Sequence, residues 1–347
     1  MLVRHLLVLV GVAWLLASAP PLRAQPASQS RSFRYIMGTS IRVEVYGGTE
    51  AARREATEEA FAALQEVDRL MSNYRDDSEL SHINQRAGFA EVEATAPLLA
   101  VLNAAARVSR ESDGAFDITV GPLVRLWGFK TRTPHVPSPQ ELAAIRDLVD
   151  YRNIRIDAAR HTVRFTRPGV EIDLGGIAKG FAVELAAGSL QRRGLSGFID
   201  AGGNQFMVGR PPGKSTWTVG ITHPEKPGAL LGALEVEGGS VSTSADSSNF
   251  LVAGGRRYGH LLDPRTLHPT EGALSVTIVS ADGTLADALS KAVFVLGAKD
   301  GLALLDAFPD TSGLIAYRKP DGTVGLAMSA ALRPHFHPAS KTPPGVP

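Results

Sequence analysis

The chain has 347 residues, of which 44% are hydrophobic, so it can bury a core as one large domain or as two intimate subdomains. Its formal net charge of +1 at pH 7 provides no strong positive field, which argues against nucleic acid or an anionic membrane surface as the partner. The absence of cysteine excludes disulfides, thiolate catalysis, cysteine-ligated zinc and an anchor on a lipid-modified cysteine.

The N-terminus has the pattern of an export signal. Arg4 and His5 precede an apolar run over residues 6–17, and small residues surround Ala19 and Ala24. We expect cleavage after Ala24, which predicts a periplasmic or otherwise extracytoplasmic protein that is soluble after cleavage. A retained signal anchor is the alternative, although the apolar run is short for a membrane span.

Apolar periodicity predicts the elements of the N-terminal half. Alternation over residues 33–46 predicts a bent strand or hairpin, and Thr49 opens an amphipathic helix. The polar residues 72–88 predict an ordered loop, and a second helix is expected over 97–109. A third helix begins at Ser138, where the following residues supply a first-turn proline and a capping-box glutamate.

The C-terminal half mixes strands and helices. Three short β-type runs between residues 155 and 174 precede a helix that begins at Gly175 and ends near Gly194. The later predicted elements are strands at 197–208, 216–222, 233–242 and 275–279, a long helix over 285–308, and a hairpin of 314–318 with 324–328.

This order shows no regular alternation of strand and helix. It therefore predicts an α+β fold with mixed or antiparallel sheets and packed helices. The domain limits that we expect are a signal peptide at residues 1–24, one enzymatic domain at 25–332, and a disordered tail, rich in proline and serine, at 333–347.

Residues 173–180, with the sequence DLGGIAKG, lie where a strand is expected to end and a helix to begin. Glycine lets a backbone approach a ligand closely, and the amides at a helix start favour anionic oxygens. The segment is a plausible diphosphate cradle, although its glycine spacing matches neither the Walker loop nor the dinucleotide fingerprint. A tight structural turn is the alternative.

Two further turns combine acids with glycines, at residues 200–204 and 114–122. Three such turns in one chain suggest loops that converge on a nucleotide, with Phe116 and Tyr74 available to stack on a ring. For Phe116, ordinary packing in the core is the competing interpretation.

Two titratable residues are candidates for catalysis. His260, in the sequence HLLDPRT, can accept a proton near neutral pH, or it can be a structural histidine held by backbone hydrogen bonds. Asp287 begins a predicted helix and is a candidate oxygen ligand for magnesium. It can equally favour the helix dipole or form a surface ion pair with Lys291 one turn later.

Taken in this order, the segments resemble the ApbE family of FAD:protein FMN transferases. The likeness extends from about residue 33 to 328. The set is specific because all of its segments occur in the family's order along the chain. The matching segments are Met37-Gly38-Thr39, Ser72-Asn73-Tyr74 with Ser78-Glu79-Leu80, 114–122, 173–180, 200–203, 260–266 and 286–297.

The resemblance implies a fold related to the T-fold and an enzyme that binds FAD in a deep cleft with Mg²⁺ on its diphosphate. A Ser or Thr hydroxyl of a target protein, typically a membrane electron-transfer subunit, then attacks the FMN-side phosphorus and AMP departs. The implied FAD contacts are Met37, Tyr74, Ala115, Phe116, Asp117, Asp173, Lys179 and Leu261. The implied metal residues are Asp287, Ser290 and Gly176, the last through its carbonyl, and His260 is the implied base.

The chain departs from the family pattern at two positions. Lys291 stands where the family usually has a threonine metal ligand, and an ammonium can neutralise a phosphate but cannot ligate a cation. We therefore expect one tightly held magnesium rather than two. Ala245 replaces a glycine of the family. Two other functions use the same residues: a magnesium-dependent FAD pyrophosphatase and a flavin-binding protein without turnover.

Overall fold

The computed structural model of the protein describes residues 29–129, 133–246 and 250–339. The predicted export signal at residues 1–24 lies outside the described residues. Within these three ranges, none of the helices has the length and apolar character needed to cross a membrane.

The helices largely follow the predicted pattern of caps. Thr49 accepts a hydrogen bond from the Ala52 amide, and Ser138 forms the predicted capping box with Glu141. The α-helices of the described ranges are α1 (Glu50–Met71), α2 (Glu79–Arg86), α3 (Ala96–Glu111), α4 (Gly121–Leu126), α5 (Pro139–Ile145), α6 (Ala178–Gln191) and α7 (Gly283–Leu305).

Most strands are short and form hairpins. They are β1 (Gln29–Ile36), β2 (Thr39–Tyr46), β3 (Val92–Glu93), β4 (Ile154–Asp157), β5 (Thr162–Phe165), β6 (Ser196–Ala201), β7 (Asn204–Val208), β8 (Trp217–Thr222), β9 (Leu230–Val236), β10 (Gly239–Ala245), β11 (Phe250–Ala253), β12 (Arg256–Gly259), β13 (Leu262–Asp263), β14 (His268–Pro269), β15 (Ser275–Ser280), β16 (Thr311–Arg318), β17 (Val324–Met328) and β18 (Phe336–Pro338).

Eight strands form one antiparallel sheet in the order β1-β2-β6-β7-β10-β15-β16-β17. Residues alternate between its two faces. On β16, Leu314 belongs to one apolar cluster and Ile315 to another. The larger cluster joins one face of the sheet to α1, α3, α6 and α7, and the smaller one joins the other face to a second sheet of β8, β9 and β18. The main sheet is therefore covered on both faces.

The predicted disordered tail is wrong for the part of it that the structure describes. Residues 336–338 form β18, which pairs with β9, and Phe336 is buried in the smaller apolar cluster. The prediction of disorder rested on the high proline and serine content of the tail, and it overlooked the one aromatic residue that packs into the core. Residues 340–347 lie outside the described ranges.

The predicted loop at 72–88 and the third β-type run before Gly175 are also wrong. The Ser78 hydroxyl accepts a hydrogen bond from the Ser81 amide and so starts α2 inside the expected loop. The third run forms no strand, and backbone hydrogen bonds join it to residues 118 and 121 while a side chain holds Ile172. Asn84 accepts from the Ile172 amide through Oδ1 at 2.7 Å and donates to the Ile172 carbonyl at 2.9 Å.

Candidate functional site

Three hairpin and strand ends meet at one end of the main sheet. The turn between β1 and β2 touches the turn between β6 and β7, because a Cβ added at Gly202 would lie 2.7 Å from Thr39 Oγ1. The same β6–β7 turn is joined to β10, since the Thr243 amide donates to the Gly203 carbonyl at 2.9 Å. The predicted glycine turn at 200–204 therefore lies beside the Met37 turn.

Residues 173–180 form a turn that leads into α6, which begins at Ala178 rather than at the predicted Gly175 and follows no strand directly. Asp173 Oδ1 accepts a hydrogen bond from the Gly175 amide at 2.8 Å, and Lys179 Nζ donates to the Gly175 carbonyl at 3.1 Å. The residue before the helix is Ile177, which supplies no side-chain cap. A helix start without a side-chain cap has amide groups that suit anionic oxygens.

The start of α6 lies against the first turns of α7. A Cβ at Gly180 would overlap the Gly283 carbonyl oxygen and lie 2.6 Å from Asp287 Cβ. This close approach brings the Gly180 amide within 2.9 Å of Asp287 Oδ2. The Asp287 side chain is fully buried, and its Oδ1 is paired with the Lys291 ammonium. The predicted ion pair thus exists, but in the interior rather than on the surface.

Lys291 lies inside the site. Its side chain is 19% exposed, and a Cβ at Gly176 would lie 3.7 Å from Lys291 Cγ and 3.2 Å from Phe116 Cε2. Burial lowers the pKa of the Lys291 amine, the Asp287 carboxylate opposes that shift, and the Lys179 ammonium adds to it. Two ammonium groups therefore accompany one buried carboxylate.

Ser290 faces the sheet. Its hydroxyl donates to the Asp287 carbonyl at 2.7 Å and lies 2.7 Å from Ser244 Oγ, with Ser242 Oγ at 3.4 Å. Ser290 itself is fully buried. These contacts join α7 to β10, and the implied role of Ser290 at the metal stays a prediction.

His260 is held by a residue that the sequence did not single out. Its Nδ1 lies 3.2 Å from Asp246 Oδ1, which also accepts the His260 amide at 3.1 Å. Asp246 follows β10 directly, so the strand that carries Ser242 and Ser244 also positions the imidazole. A proton on Nδ1 shared with the carboxylate makes Nε2 the basic nitrogen. The only signal near this loop was Ala245, which stands where the family has a glycine.

Asp117 organises its own loop, and its contact with FAD stays a prediction. Oδ1 accepts from the Thr119 amide and hydroxyl, and Oδ2 accepts from the Tyr151 amide, each at 2.7 Å. Burial outweighs these bonds and raises the pKa of Asp117 to about 6. Ala115 and Phe116 are buried beside it, so core packing is confirmed for Phe116, and its ring edge still lies at Gly176.

The other predicted FAD contacts are Tyr74, Met37 and Leu261. Tyr74 is an exposed aromatic residue, and its neighbour Asn73 donates to the Ile172 carbonyl at 2.8 Å. Met37 adopts a left-handed backbone in the β1–β2 turn and is half-buried against the larger core, and Leu261 is half-buried there too.

The donor set fits a magnesium ion that is held in part by substrate. No group of three or more His, Asp or Glu side chains in the described ranges could hold a metal ion. The site offers one carboxylate, Asp287, and Gly176 lies beside the Lys291 stem that reaches it. Mg²⁺ is commonly bound by one or two carboxylates together with phosphate oxygens and water. Asp287 has lone pairs beyond those that Gly180 and Lys291 engage.

The fold is α+β, and the candidate site combines a glycine-rich helix start with two lysines and one buried carboxylate. The model of the ApbE family matches residues 37–315. This chain belongs to the ApbE family.

Similar proteins are known in sequence and in structure. A FAD:protein FMN transferase of Treponema pallidum is 35% identical over 322 residues, which cover 87% of each chain. One of Vibrio cholerae is 32% identical over 85% of this chain and 90% of its own. Among solved structures, the ApbE protein of Thermotoga maritima has a TM-score of 0.79 at 32% identity, over 86% of this chain and 97% of that one. The flavin transferase ApbE of Vibrio cholerae has a TM-score of 0.80 at 29% identity, over 89% of this chain and 100% of that one. These comparisons confirm the predicted resemblance and fold class.

Proposed function

We infer that this chain is a FAD:protein FMN transferase, which moves the FMN half of FAD onto a hydroxyl of a target protein. The observation that carries the inference is the coincidence of the family match over 37–315 with the convergence of Gly176, Lys179 and Asp287 at one end of the sheet. The relatives that resemble the chain over most of its length have the same activity in their names.

The reaction is a phosphoryl transfer. The oxygen of an acceptor Ser or Thr attacks the FMN-side phosphorus, the bond from that phosphorus to the bridging oxygen breaks, and AMP leaves with the bridging oxygen. Such chemistry depends mainly on placing the reactants in line and on neutralising charge. Lys179, whose ammonium donates to the Gly175 carbonyl beside the start of α6, is the proposed diphosphate contact.

His260 is the proposed general base. Because Nδ1 of His260 contacts Asp246, Nε2 is the nitrogen proposed to accept the proton of the hydroxyl. His260→Ala is expected to slow transfer by about a hundredfold or more, because general-base catalysis contributes that much. Asp246→Asn keeps the shape of the side chain at position 246 and is expected to hold the His260 ring less firmly in its orientation.

Magnesium is the proposed metal, and Asp287 and the Gly176 carbonyl are the residues that would hold it. When bound, it supplies positive charge to the diphosphate oxygens. Asp287 binds the Gly180 amide and thereby couples the start of α6 to α7.

The target protein and the location are proposals that follow from the family and from the N-terminus. The proposed target carries an acceptor Ser or Thr and belongs to a membrane electron-transfer complex. Export, with cleavage after Ala24, would place the enzyme in the periplasm. Intact-mass analysis of the exported protein is expected to give an N-terminus at Gln25, and a retained Met1 would favour the signal anchor.

The activity is tested with FAD, Mg²⁺ and a candidate electron-transfer subunit. Transfer gives flavin fluorescence on the subunit in a denaturing gel. Free FMN and AMP without labelled protein would instead support the pyrophosphatase, and unchanged FAD would support binding alone. His260→Ala in the same assay separates enzymatic labelling from flavin that adheres to the protein.

A further inference from the structure

Two lysine side chains lie at the glycine segment. Asp287 is fully buried and its Oδ1 is paired with the Lys291 ammonium, so these two charges compensate each other. The Lys179 ammonium donates to the Gly175 carbonyl in an exposed hydrogen bond and is close enough to lower the pKa of Lys291. An anionic ligand at this segment would therefore meet positive charge beyond that of the buried pair.

The Lys291 side chain lies along the glycine segment. Its Cγ and Cδ would lie 3.7 and 3.9 Å from a Cβ added at Gly176, which is ordinary van der Waals distance, so the lysine stem packs beside this glycine. Its ammonium binds Asp287 Oδ1, while Oδ2 binds the amide at position 180 of the first turn of α6. A cation at this point faces the helix start that suits phosphate oxygens.

An ion pair that served stability alone would have little reason to lie here. A buried ion pair is often no more stable than apolar residues of similar volume, because both charges lose hydration. Lys291 follows Asp287 by one turn of α7, in a helix whose neighbouring buried positions are otherwise mostly apolar. A lysine stem with four rotatable carbons can also move its ammonium from a carboxylate to a phosphate.

We propose that Lys291 is a substrate-binding residue whose ammonium contacts the diphosphate of FAD and replaces one divalent cation there. The proposal rests on the function inferred above and adds a specific property to it. In this chain the Lys291 ammonium neutralises part of the negative charge of the diphosphate, and one divalent ion neutralises another part.

The first test measures FAD affinity without metal. In EDTA, Lys291→Met, which keeps most of the stem volume, is expected to weaken FAD binding about ten- to a hundredfold, the effect of one charge-assisted hydrogen bond. Lys291→Arg is expected to retain most of the affinity. Lys299→Met, at an exposed lysine of the same helix, is the matched control and is expected to bind as the original chain does.

Riboflavin separates a diphosphate contact from a general disturbance of the site. It has the flavin ring but no phosphate, so Lys291→Met is expected to leave its binding unchanged. Equal weakening of riboflavin and FAD, or no weakening of either, would overturn the proposal.

The second test counts metal ions directly. Mn²⁺ binding in the presence of FAD, followed by electron paramagnetic resonance, is expected to give one tight ion in the original chain and two in Lys291→Thr. Lys299→Thr is expected to give one. Two tight ions in the original chain would contradict the proposal.

The outcomes also separate this proposal from the proposed function. If the original chain labels its acceptor but Lys291→Met binds FAD normally in EDTA, only the role of Lys291 is wrong. If no acceptor is labelled but the metal-free affinity depends on Lys291, the diphosphate contact stands and the transferase does not.

Discussion

At the scale of single residues, Asp287 connects the two helices that form the site. Its carboxylate accepts the Gly180 amide and pairs with Lys291, and it is the one carboxylate proposed for the metal. Asp287→Asn keeps an oxygen for the Gly180 amide and removes the charge.

We predict that Asp287→Asn lowers the rate of FMN transfer by about a hundredfold or more, as expected when a group that stabilises transition-state charge is lost. Single-turnover labelling of the acceptor at saturating FAD measures this rate. A near-normal rate in a variant with an unchanged melting temperature would place the metal site elsewhere.

Asp117 gives a residue-scale prediction about pH. Its pKa is raised from the usual 3.8 to about 6 by burial, so the folded chain binds this proton more tightly than the unfolded chain does. The contribution of Asp117 to the free energy of unfolding therefore falls as the pH rises from about 4 to about 6, and it is constant at higher pH. The difference in pKa corresponds to a decrease on the order of 3 kcal/mol.

Urea unfolding at several pH values between 4 and 7 measures this dependence. Asp117→Asn retains an acceptor for the Thr119 amide and cannot titrate, so the slope between pH 4 and 6 is expected to flatten in this variant. An identical slope in both proteins would show that Asp117 does not titrate in this range.

At the scale of elements, the contact of α6 with α7 determines the position of the cradle. A methyl group at Gly180 would overlap the Gly283 carbonyl and press on Asp287. Gly188 lies further along α6, where an added Cβ would meet only the guanidinium end of Arg192 at 3.0 Å.

We predict opposite effects for alanine at these two glycines. Gly180→Ala is expected to lower the free energy of unfolding by about 1–3 kcal/mol or more and to weaken FAD binding, because it forces the helices apart. Gly188→Ala is expected to stabilise the protein by about 0.5–1 kcal/mol, since alanine favours a helix. Thermal unfolding measures the change in stability, and flavin fluorescence measures FAD binding. Equal effects of the two substitutions would contradict this account of the contact between α6 and α7.

The elements show which features the sequence could reveal. Caps such as Thr49 and the Ser138 capping box act within a few residues, so they predict helix starts correctly. The pairing of Asn84 with Ile172 replaces a strand partner by a side chain 88 residues away, and no local pattern encodes it. For the same reason Asp246 could not be matched to His260, which lies 14 residues further along the chain.

At the scale of the whole molecule, the chain end completes the second layer over the main sheet. Phe336 on β18 packs into the smaller apolar cluster with Trp217, Leu234 and Leu314, while its neighbour His337 is largely exposed. The family resemblance gave the overall fold but ended at residue 328, so this last strand was missed.

We predict that Phe336→Ala lowers the free energy of unfolding by about 3 kcal/mol, since a buried phenylalanine leaves a cavity. His337→Ala, one residue along the same strand, is expected to change it by about 0.5 kcal/mol or less. Denaturant unfolding of both variants measures the difference. Comparable losses at the two positions would mean that the strand, rather than its aromatic anchor, carries the stability.

The central claim is that the site transfers FMN to a protein hydroxyl, and intact-mass spectrometry of the acceptor tests it most directly. After incubation with FAD, Mg²⁺ and the enzyme, the acceptor is expected to gain the mass of one FMN, and an acceptor whose Ser or Thr is replaced by alanine is expected to gain none. Asp287→Asn enzyme is the matched control and is expected to leave the mass almost unchanged. An unmodified acceptor accompanied by release of free FMN would contradict the account.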